Sequence, residues 1–368
     1  MPLLRLVDVT KRFGEITALD RVSLSIEDEE YVCVLGPTGA GKTTLLRTIA
    51  GLLEPDEGEI YVEDQLVNEV APEERNTVYM FQQFALFPHM NVWQNVSFGP
   101  IIKGWDEESV EKISNEILDM VRLSDRWDAY PNELSGGMQQ RVALARGIAS
   151  GARILLLDEP LGALDARLRV DLRYQLRRLV KDQGLTAIHV THDQEEALTV
   201  SDRVVVLREG RIEQTGTPEE LYARPRSIFV MNFVGGGNFI EGTVVDFDDA
   251  GSTVEIRGGL RIRVSDRIHD VGERVVVAVR RENTFVRTER GSEINSLPGR
   301  VRSVSFVGSF IEYVVTLENG INLTSRVPIA TGFRDIDGDE TVIVFFSPED
   351  TFVFSRPETG LLKEIEAI

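Results

Sequence analysis

A glycine-rich run near the start of the chain limits its fold more than any other feature. The run consists of Gly36, Pro37, Thr38, Gly39, Ala40, Gly41, Lys42 and Thr43, and Thr44 follows it. An apolar, strand-forming run (Tyr31–Leu35) precedes these residues, and a helix-forming run (44–50) comes after them. This order is typical of a phosphate-binding loop, because glycines let backbone N–H groups and a helix N-terminus approach phosphoryl oxygens. We expect Lys42 to contact those oxygens and the Thr43 hydroxyl to bind Mg²⁺.

Two adjacent carboxylates follow a second predicted strand. Four apolar residues, 154–157, lead directly into Asp158 and Glu159. Ligands of open sheets bind at the carboxyl ends of the strands, so both side chains are expected at that edge. We expect Asp158 to hold Mg²⁺ through water and Glu159 to accept a proton from an attacking water. Without the phosphate loop, the same pair would be an ordinary acidic turn.

The charge and hydropathy of the chain limit its partners. Its 368 residues carry a formal net charge of −20, which argues against sequence-independent binding to nucleic acid or anionic lipid. No stretch approaches the roughly 18 apolar residues of a membrane helix, and residues 1–20 lack the apolar core of a signal peptide. We therefore expect the chain to stay in the cytosol. The single cysteine, Cys33, is expected to serve strand packing.

The sequence pattern changes near Pro225. Before it, strand-forming runs alternate with helical runs, which predicts a largely parallel sheet covered by helices. After it, valine-rich runs separated by glycines and charged turns predict an all-β domain. We place the boundary at the triple glycine 235–237. The prediction is an α/β nucleotide-binding domain at 1–234, with a helical subdomain at about 92–150, and a second domain at 235–368.

The predicted all-β domain contains an internal repeat. Residues 275–285 (VVVAVRRENTF) match residues 342–352 (VIVFFSPEDTF), and Glu282 aligns with Glu349. Closing a sheet into a barrel removes exposed strand edges. We therefore expect two small barrels of the OB type.

A short motif lies between the two phosphate-site segments. Residues 134–141 (LSGGMQQR) place Ser135, Gly136 and Gly137 before a helical run, which alone is an ordinary helix N-cap. With the phosphate loop and the two carboxylates, this octapeptide resembles the signature of the ATP-binding-cassette (ABC) family, and the resemblance covers the whole chain. It implies an ABC ATPase fold of the P-loop NTPase class, with ATP and Mg²⁺ as ligands. It also implies that the signature contacts the γ-phosphate of the opposite subunit's ATP.

Four further motifs of that family are present, each at its expected place in the order along the chain. They are an aromatic residue for adenine stacking, a glutamine after a strand, an aspartate in an apolar loop and a histidine at a strand end: Phe13, Gln82, Asp165 and His192. The resemblance assigns Gln82 to Mg²⁺ and the attacking water, although Gln83 could reach the same place. It assigns catalysis to Lys42, Gln82, Glu159 and His192. A solitary histidine at a strand end is more often structural, and the order of the motifs is what favours a catalytic His192.

An apolar stretch follows the glutamine. Residues 84–99 (FALFPHMNVWQNVSFG) are too apolar for a solvated loop and indicate a partner surface. The resemblance implies that this stretch receives the coupling helices of two transmembrane permease subunits. The alternative is packing inside the helical subdomain. We expect both, with Pro88, His89 and Met90 nearest the partner.

The all-β tail resembles the TOBE regulatory domain of importer ATPases. The resemblance therefore implies the ATP-hydrolysing subunit of a membrane importer, acting as a head-to-tail homodimer. It implies peripheral attachment to the cytoplasmic face of the membrane and only indirect contact with an extracytoplasmic substrate-binding protein. Residues 229–240 and 307–314 look more like the polyamine and ferric-iron branches than the sugar branch. Polyamine or ferric iron is the expected solute, and a sugar or another small solute is the alternative.

Two functions of other classes share these motifs. A soluble ABC ATPase of DNA repair or translation would carry them too, but the single cassette, the barrel-like tail and the charge of −20 argue against nucleic acid. A nucleotide-gated scaffold would bind ATP without useful hydrolysis, which the presence of Glu159 and His192 disfavours.

Overall fold

The chain divides into two units after Arg224. The computed structural model describes residues 2–81, 84–162, 166–266, 270–289, 291–329, 336 and 338–366, with the backbone alone for 166–168 and 366. The first unit is Met1–Arg224 and the second is Pro225–Ile368, so the division precedes the boundary predicted after residue 234. In the described ranges, every helix is too short or too polar to span a lipid bilayer.

The first unit contains a mostly parallel sheet and a smaller antiparallel one. Its strands are β1 (Leu4–Phe13), β2 (Ile16–Ile26), β3 (Tyr31–Leu35), β4 (Glu57–Val62), β5 (Gln65–Leu66), β6 (Thr77–Met80), β7 (Ile154–Asp158), β8 (Thr186–Thr191), β9 (Arg203–Arg208) and β10 (Arg211–Gly216). The larger sheet has the order β10-β9-β3-β8-β7-β6, with only its β10–β9 pair antiparallel among the described strands, and the smaller has the order β2-β1-β4-β5. Every residue of β3, β7 and β8 is buried, as expected for parallel strands covered on both faces. The predicted parallel sheet is confirmed.

Helices cover this sheet and form the segment inserted between β6 and β7. They are α1 (Lys42–Ile49), α2 (Val92–Ile102), α3 (Glu107–Met120), α4 (Gly136–Ala149), α5 (Ala166–Asp182), α6 (Gln194–Val200) and α7 (Pro218–Ala223). The side chains of Asn91, Asp106 and Ser135 each accept a backbone N–H from the first turn of α2, α3 and α4, which fixes where these helices begin. The three helices pack against one another and span most of the range predicted for the helical subdomain.

The order of the parallel strands brings three loops to one edge. β8 lies between β3 and β7, and the register pairs Leu35 with Thr191 and Asp158 with Val190. These residues stand at the carboxyl ends of their strands. The loops that follow β3, β7 and β8 therefore meet at the edge where such sheets bind ligands.

The second unit contains two five-stranded antiparallel sheets. Its elements are α8 (Ile228–Phe233), β11 (Asn238–Asp248), β12 (Gly251–Ile256), β13 (Arg261–Val264), β14 (Arg274–Val279), β15 (Phe285–Arg287), β16 (Asn295–Phe306), β17 (Phe310–Leu317), β18 (Asn322–Pro328), β19 (Thr341–Phe346), β20 (Thr351–Ser355) and α9 (Leu361–Glu366). The strand orders are β13-β12-β11-β14-β20 and β15-β19-β16-β17-β18. Apolar side chains of both sheets, including Val277, Val315 and Val344, form one continuous core. The predicted all-β, OB-like fold is confirmed, and its two halves share that core.

The internal repeat exchanges strands between these sheets. Each copy forms a strand, one turn of 3-10 helix (Arg281–Asn283 or Pro348–Asp350) and a second strand. β14 of the first copy pairs with β20 of the second, and β15 of the first pairs with β19 of the second. Each copy therefore contributes one strand to each sheet.

A buried arginine holds α8 in the second unit. Arg280 is 2% exposed and donates hydrogen bonds to the carbonyl oxygens of Met231 (3.0 Å) and Gly236 (3.1 Å). Burial lowers the pKa of its guanidinium to about 10. Because α8 and the triple glycine are tied to the turn after β14, the division of the chain lies before α8.

Candidate active site

The phosphate loop lies close against neighbouring backbone. A Cβ at Gly36 would lie 2.3 Å from the carbonyl oxygen of Leu207, and one at Gly41 would lie 2.3 Å from that of Ala18. Gly41 also has a φ of 101° and Gly39 a φ of 82°, in the left-handed region that favours glycine. The three glycines are thus required by packing and by backbone conformation. Pro37, Thr38 and Ala40 complete the loop.

Lys42 turns back over the loop that precedes it. Its Nζ donates to the carbonyl oxygens of Gly36 (2.8 Å) and Pro37 (2.9 Å), and the residue is 7% exposed. Burial lowers the pKa of Lys42, although the nearby carboxylates of Glu159 and Asp158 oppose this shift. The ammonium group is therefore held beside the loop, where it can meet phosphoryl oxygens.

Asp158 accepts hydrogen bonds on both of its carboxylate oxygens. Thr43 Oγ1 donates to Oδ1 (3.0 Å), and Tyr79 OH donates to Oδ2 (2.7 Å). Burial, followed by this hydrogen bond, raises the pKa of Tyr79 well above its usual value. Sequence reasoning missed Tyr79, which has no motif around it beyond its place in β6, opposite Leu156 of β7. The Thr43 hydroxyl and the Asp158 carboxylate thus present two hard oxygen ligands at the end of the phosphate loop.

Glu159 and His192 are in contact although they lie on different loops. Glu159 Oε1 is 3.0 Å from His192 Nδ1. Glu159 has a left-handed φ of 50°, and its backbone N–H donates to the carbonyl oxygen of Val190 in β8. Such a conformation costs free energy in a non-glycine residue and is concentrated at functional sites. The imidazole of His192 is 62% exposed, so this carboxylate–imidazole pair opens towards solvent.

A buried hydrogen-bond network holds the loop that carries His192. Thr191 Oγ1 donates to Glu196 Oε2 (2.7 Å) and accepts from the Asp193 backbone N–H (3.0 Å). His189 is fully buried, with its Nδ1 3.0 Å from Tyr31 OH and its Nε2 3.3 Å from Glu196 Oε1. Burial would raise the pKa of Glu196, but His189 and Thr191 lower it below its usual value. Sequence reasoning missed this network, because its members lie in three different elements.

The phosphate loop and Glu159 border a cleft of about 430 Å³. The cleft is lined by Ile16, Thr17, Ala18, Thr38, Gly39, Gly41, Lys42, Thr43, Thr44, Glu159 and Glu209. Ile16, Thr17, Ala18 and Glu209 were not predicted. Phe13 is not among the described lining residues, but it pairs with Ile16 across the β1–β2 turn and is 47% exposed at the same end of the hairpin. An apolar surface thus adjoins the phosphate loop.

The signature lies on a separate surface of the first unit. Ser135 caps α4 by accepting the Met138 N–H, and Ser135 and Gly136 are exposed. A Cβ at Gly136 would meet nothing within 4 Å. Among the described residues that line the cleft, Ser135, Gly136 and Gly137 do not appear. The structure therefore brings the loop, the two carboxylates and His192 together in one chain and leaves the signature apart.

Two predicted site residues, Gln82 and Asp165, lie outside the described residues, as does Gln83. Their roles remain predictions from the resemblance.

The apolar stretch 84–99 is partly packed and partly exposed. The ring of Phe87 lies 4.6 Å from that of Phe98, and the Arg146 guanidinium lies 5.0 Å from the Phe87 ring. The buried Asn95 donates to the carbonyl oxygens of Phe87 (3.2 Å) and Met90 (3.0 Å), which fixes the turn before α2. Pro88 and His89 are exposed and Met90 is half-buried. The tip of this turn can contact a partner while its base packs inside the unit.

Comparisons with known families agree with these observations. The profile of the family described as ABC transporter matches residues 19–162, and that described as TOBE domain matches residues 277–354. A protein of Pseudomonas aeruginosa named spermidine/putrescine import ATP-binding protein PotA is 42% identical over 336 residues, covering 90% of this chain and 93% of that protein. Proteins with the same name from Nitrosomonas eutropha (40% identical, covering 97% and 100%) and Vibrio cholerae (39%, covering 92% and 89%) are also similar.

Solved structures of ATP-binding cassettes are similar to part of this chain. A dimeric post-hydrolysis state of the ATP-binding cassette MJ0796, bound to ADP and Pi, superposes with a TM-score of 0.54 at 35% identity. The match covers 58% of this chain and 98% of that one. The predicted P-loop NTPase fold of the cassette is confirmed.

Proposed function

Because the chain belongs to the ABC transporter family, whose cassettes bind and hydrolyse ATP, we propose that it powers a membrane importer for polyamines. One observation carries the catalytic part of this proposal. The phosphate loop with Lys42, the Thr43–Asp158 pair and the Glu159–His192 pair meet at one edge of one sheet. This set of groups can bind a nucleoside triphosphate and activate a water beside its terminal phosphate.

ATP is bound by the cleft. The backbone N–H groups at the end of the phosphate loop and at the N-terminus of α1 face the phosphates, and the Lys42 ammonium moves from its own loop carbonyls to phosphoryl oxygens. The exposed ring of Phe13, beside Ile16, stacks on the adenine. The resemblance also assigns Asp165 to nucleotide binding.

Mg²⁺ accompanies the nucleotide. Thr43 and Asp158 fit this ion, because they present a hydroxyl and a carboxylate 3.0 Å apart, and hard cations prefer oxygen donors. Within the described residues, no group of three or more His, Cys, Asp or Glu side chains could hold a metal. The resemblance assigns the Gln82 amide to the ion, and phosphoryl oxygens and water would complete its ligands. When bound, the ion offsets negative charge on the phosphates. Tyr79 holds Asp158 in the orientation that suits this role.

Glu159 acts as the general base. Its carboxylate lines the cleft beside Lys42 and can accept a proton from water that attacks the terminal phosphate. His192 holds the carboxylate at 3.0 Å and is itself held by the network around Thr191. The strained φ of Glu159 fixes the direction in which the carboxylate points.

Two copies of the chain form the complete site. Ser135–Gly137 of each chain present an exposed helix N-terminus, and a γ-phosphate held by the other chain's loop is the anion that this terminus would bind. The dimeric cassette MJ0796 supports such an arrangement. ATP favours the closed dimer, because only that state offers contacts to the signature.

The homodimer is attached peripherally to the cytoplasmic face of the membrane through two permease subunits. The exposed tip of the 84–99 stretch is the surface that receives them. An extracytoplasmic substrate-binding protein delivers the solute and meets the ATPase only through the permease. The relatives that share 39–42% identity and carry the name of spermidine/putrescine importers support a polyamine as the solute, rather than ferric iron or a sugar.

The test is ATP-driven uptake by the complex that this chain forms with its membrane subunits. The complex is purified through a tag on the chain and reconstituted into proteoliposomes loaded with ATP. We expect uptake of labelled putrescine and spermidine, no uptake of ferric iron or maltose, and no uptake with the Glu159→Gln chain. Uptake of another solute would refute the polyamine assignment, and a chain that purifies without any membrane protein would favour a soluble ATPase.

A further inference from the structure

All three tryptophans of the chain line one groove in the first unit. Trp93, Trp105 and Trp127 come from α2, from the loop before α3 and from the loop beyond it, and the groove has a volume of about 700 Å³. Trp105 is 38% exposed and Trp127 is 52% exposed. Large aromatic side chains gathered at a surface mark a binding site, since folding alone would favour burying them. The cassette mechanism described above does not use this groove.

Backbone hydrogen bonds hold the segments that carry the tryptophans. The backbone N–H of Trp93 donates to the carbonyl oxygen of Trp127 (2.8 Å), which ties two walls of the groove together. The backbone N–H of Trp105 donates to the carbonyl oxygen of Pro100 (3.1 Å). A Cβ at Gly151 would lie 2.7 Å from the Trp105 ring, so the indole packs directly on that glycine. The backbone of these walls and the position of the Trp105 ring are therefore fixed by contacts within the unit.

The helix α3 supplies a polar wall. Glu107, Glu111 and Asn115 all line the groove and are spaced by four residues, so they lie on one face of the helix. Four residues of α-helix rise by ~6 Å, which separates the two carboxylates by about that distance along the groove. The described lining residues include no lysine or arginine. The groove therefore offers two negative charges, separated by about one helical turn, opposite aromatic faces.

We propose that this groove binds a linear aliphatic polyammonium ion. Indole faces attract ammonium groups through the ring quadrupole and also pack against methylene chains. Two nitrogens joined by four methylenes are separated by five bonds, or ~6 Å when extended. That spacing matches the rise from Glu107 to Glu111, so each carboxylate receives one ammonium group. A monoamine reaches only one carboxylate, and a strongly hydrated inorganic cation such as Mg²⁺ has no methylene chain to pack against the indoles.

The proposal rests on the groove alone and does not depend on which solute the importer carries. The site is separate from the phosphate cleft, with which it shares no described lining residue. If putrescine does not bind the groove, the proposed function as a polyamine importer still stands, because uptake and groove binding are measured separately.

Intrinsic tryptophan fluorescence tests the proposal directly, because every indole of the chain lies in the groove. The full-length chain is titrated with putrescine and, separately, with butylamine and with MgCl₂ at matched ionic strength. We expect a saturable change with putrescine, a weaker one with butylamine, and no saturable change with MgCl₂. A response to MgCl₂ equal to that of putrescine, or no saturable response to putrescine, would overturn the proposal.

Two matched double variants locate the binding. Glu107→Gln with Glu111→Gln removes both groove carboxylates, and Glu108→Gln with Glu116→Gln removes two exposed carboxylates of α3 outside the described lining. Both variants lose the same charge, so a general electrostatic effect weakens binding equally in each. We expect a roughly tenfold or larger rise in the putrescine Kd for the first, corresponding to about 1.4 kcal/mol, and less than a twofold rise for the second.

Calorimetric titration of a Trp105→Ala chain is the second measurement. Loss of putrescine binding with unchanged ATP hydrolysis supports the site, since hydrolysis reports an intact fold. Two results contradict the proposal: equal weakening in both double variants, or a fluorescence change that appears only when permease subunits are added. The second would make the groove a protein-docking surface.

Discussion

Two helices of the first unit begin at glycine-rich segments, yet their N-termini are built differently. At α1, Gly41 is left-handed, has no side-chain cap and lies against the Ala18 carbonyl in a cleft lined by the phosphate loop. At α4, Ser135 caps the helix, and Gly136 is exposed with open space around it. The first terminus is enclosed by its own chain, whereas the second faces outward.

This difference supports the proposed composite site. An enclosed loop can bind and orient a triphosphate by itself, and a second chain would then cover the terminal phosphate. An open helix terminus has free N–H groups of the first turn and gains most when another chain brings an anion to it. In the proposed homodimer, ATP itself would stabilise the closed state, because each nucleotide would join one enclosed and one open terminus.

We expect the groups that hydrolyse ATP to lie entirely at the enclosed terminus, that of α1. Glu159→Gln should slow ATP hydrolysis by roughly 10²- to 10⁴-fold, because the general base is lost while its shape is kept. ATP binding should persist, and light scattering should show a dimer at saturating Mg-ATP. Phosphate release measures the rate. Glu209→Gln removes another carboxylate of the same cleft. An equal loss there would mean that cleft charge, and not proton transfer, is responsible.

Mixing two inactive chains tests whether the termini act together. Lys42→Ala disables the enclosed side and Ser135→Arg blocks the open side, so each variant alone should be almost inactive. In a mixed dimer, one of the two sites keeps both halves intact. We expect partial recovery of phosphate release on mixing. Two variants that stay inactive at every ratio would show that each cassette works alone or that both sites must be intact.

The two glycine segments should differ in their tolerance of a methyl group. Gly36→Ala places a Cβ 2.3 Å from the Leu207 carbonyl oxygen, which forces the backbone to shift and should cost roughly 1–3 kcal/mol of stability. Gly136→Ala meets open space and should change stability by less than about 0.5 kcal/mol. Thermal unfolding of the two chains compares them. Equal Tm values would mean that the loop is not held against β9.

The smallest effect is expected at Tyr79. Tyr79→Phe removes one hydrogen bond to Asp158, worth about 1 kcal/mol, so the apparent Mg-ATP KM should rise several-fold with an unchanged fold. Tyr61→Phe is the matched control, because it removes an exposed hydrogen bond to Glu59, and neither residue is among the described lining of the cleft. If both variants behave alike, Tyr79 does not orient Asp158.

The sequence allowed prediction of groups that sit in a local motif. The phosphate loop depends on glycines at fixed offsets, and Asp158 with Glu159 directly ends an apolar strand, so short stretches were enough. Tyr79 could not be found this way, because its contact with Asp158 depends on β6 lying beside β7. The same holds for His189, which meets Tyr31 and Glu196 only after the parallel sheet has formed.

The repeat shows a similar limit in the second unit. Its alignment predicted two related halves, but pairing between sheets is set by the order of strands in space. Arg280 could have been singled out from the alignment, because the other copy has a serine, Ser347, at the same position. What that arginine does depends on α8, which no local pattern connects with the turn after β14.

Each copy of the repeat contributes one strand to each sheet of the second unit, and this exchange makes the two copies depend on each other. Neither copy of the repeat closes a sheet without the other, because β14 needs β20 and β15 needs β19. The unit should therefore melt in one cooperative step. A chain cut between β15 and β16 would leave two fragments, each missing strands that the other supplies, so they should reassemble with each other more readily than either folds alone. If a gene duplication produced this arrangement, neither copy of the repeat could afterwards have been lost without loss of the fold.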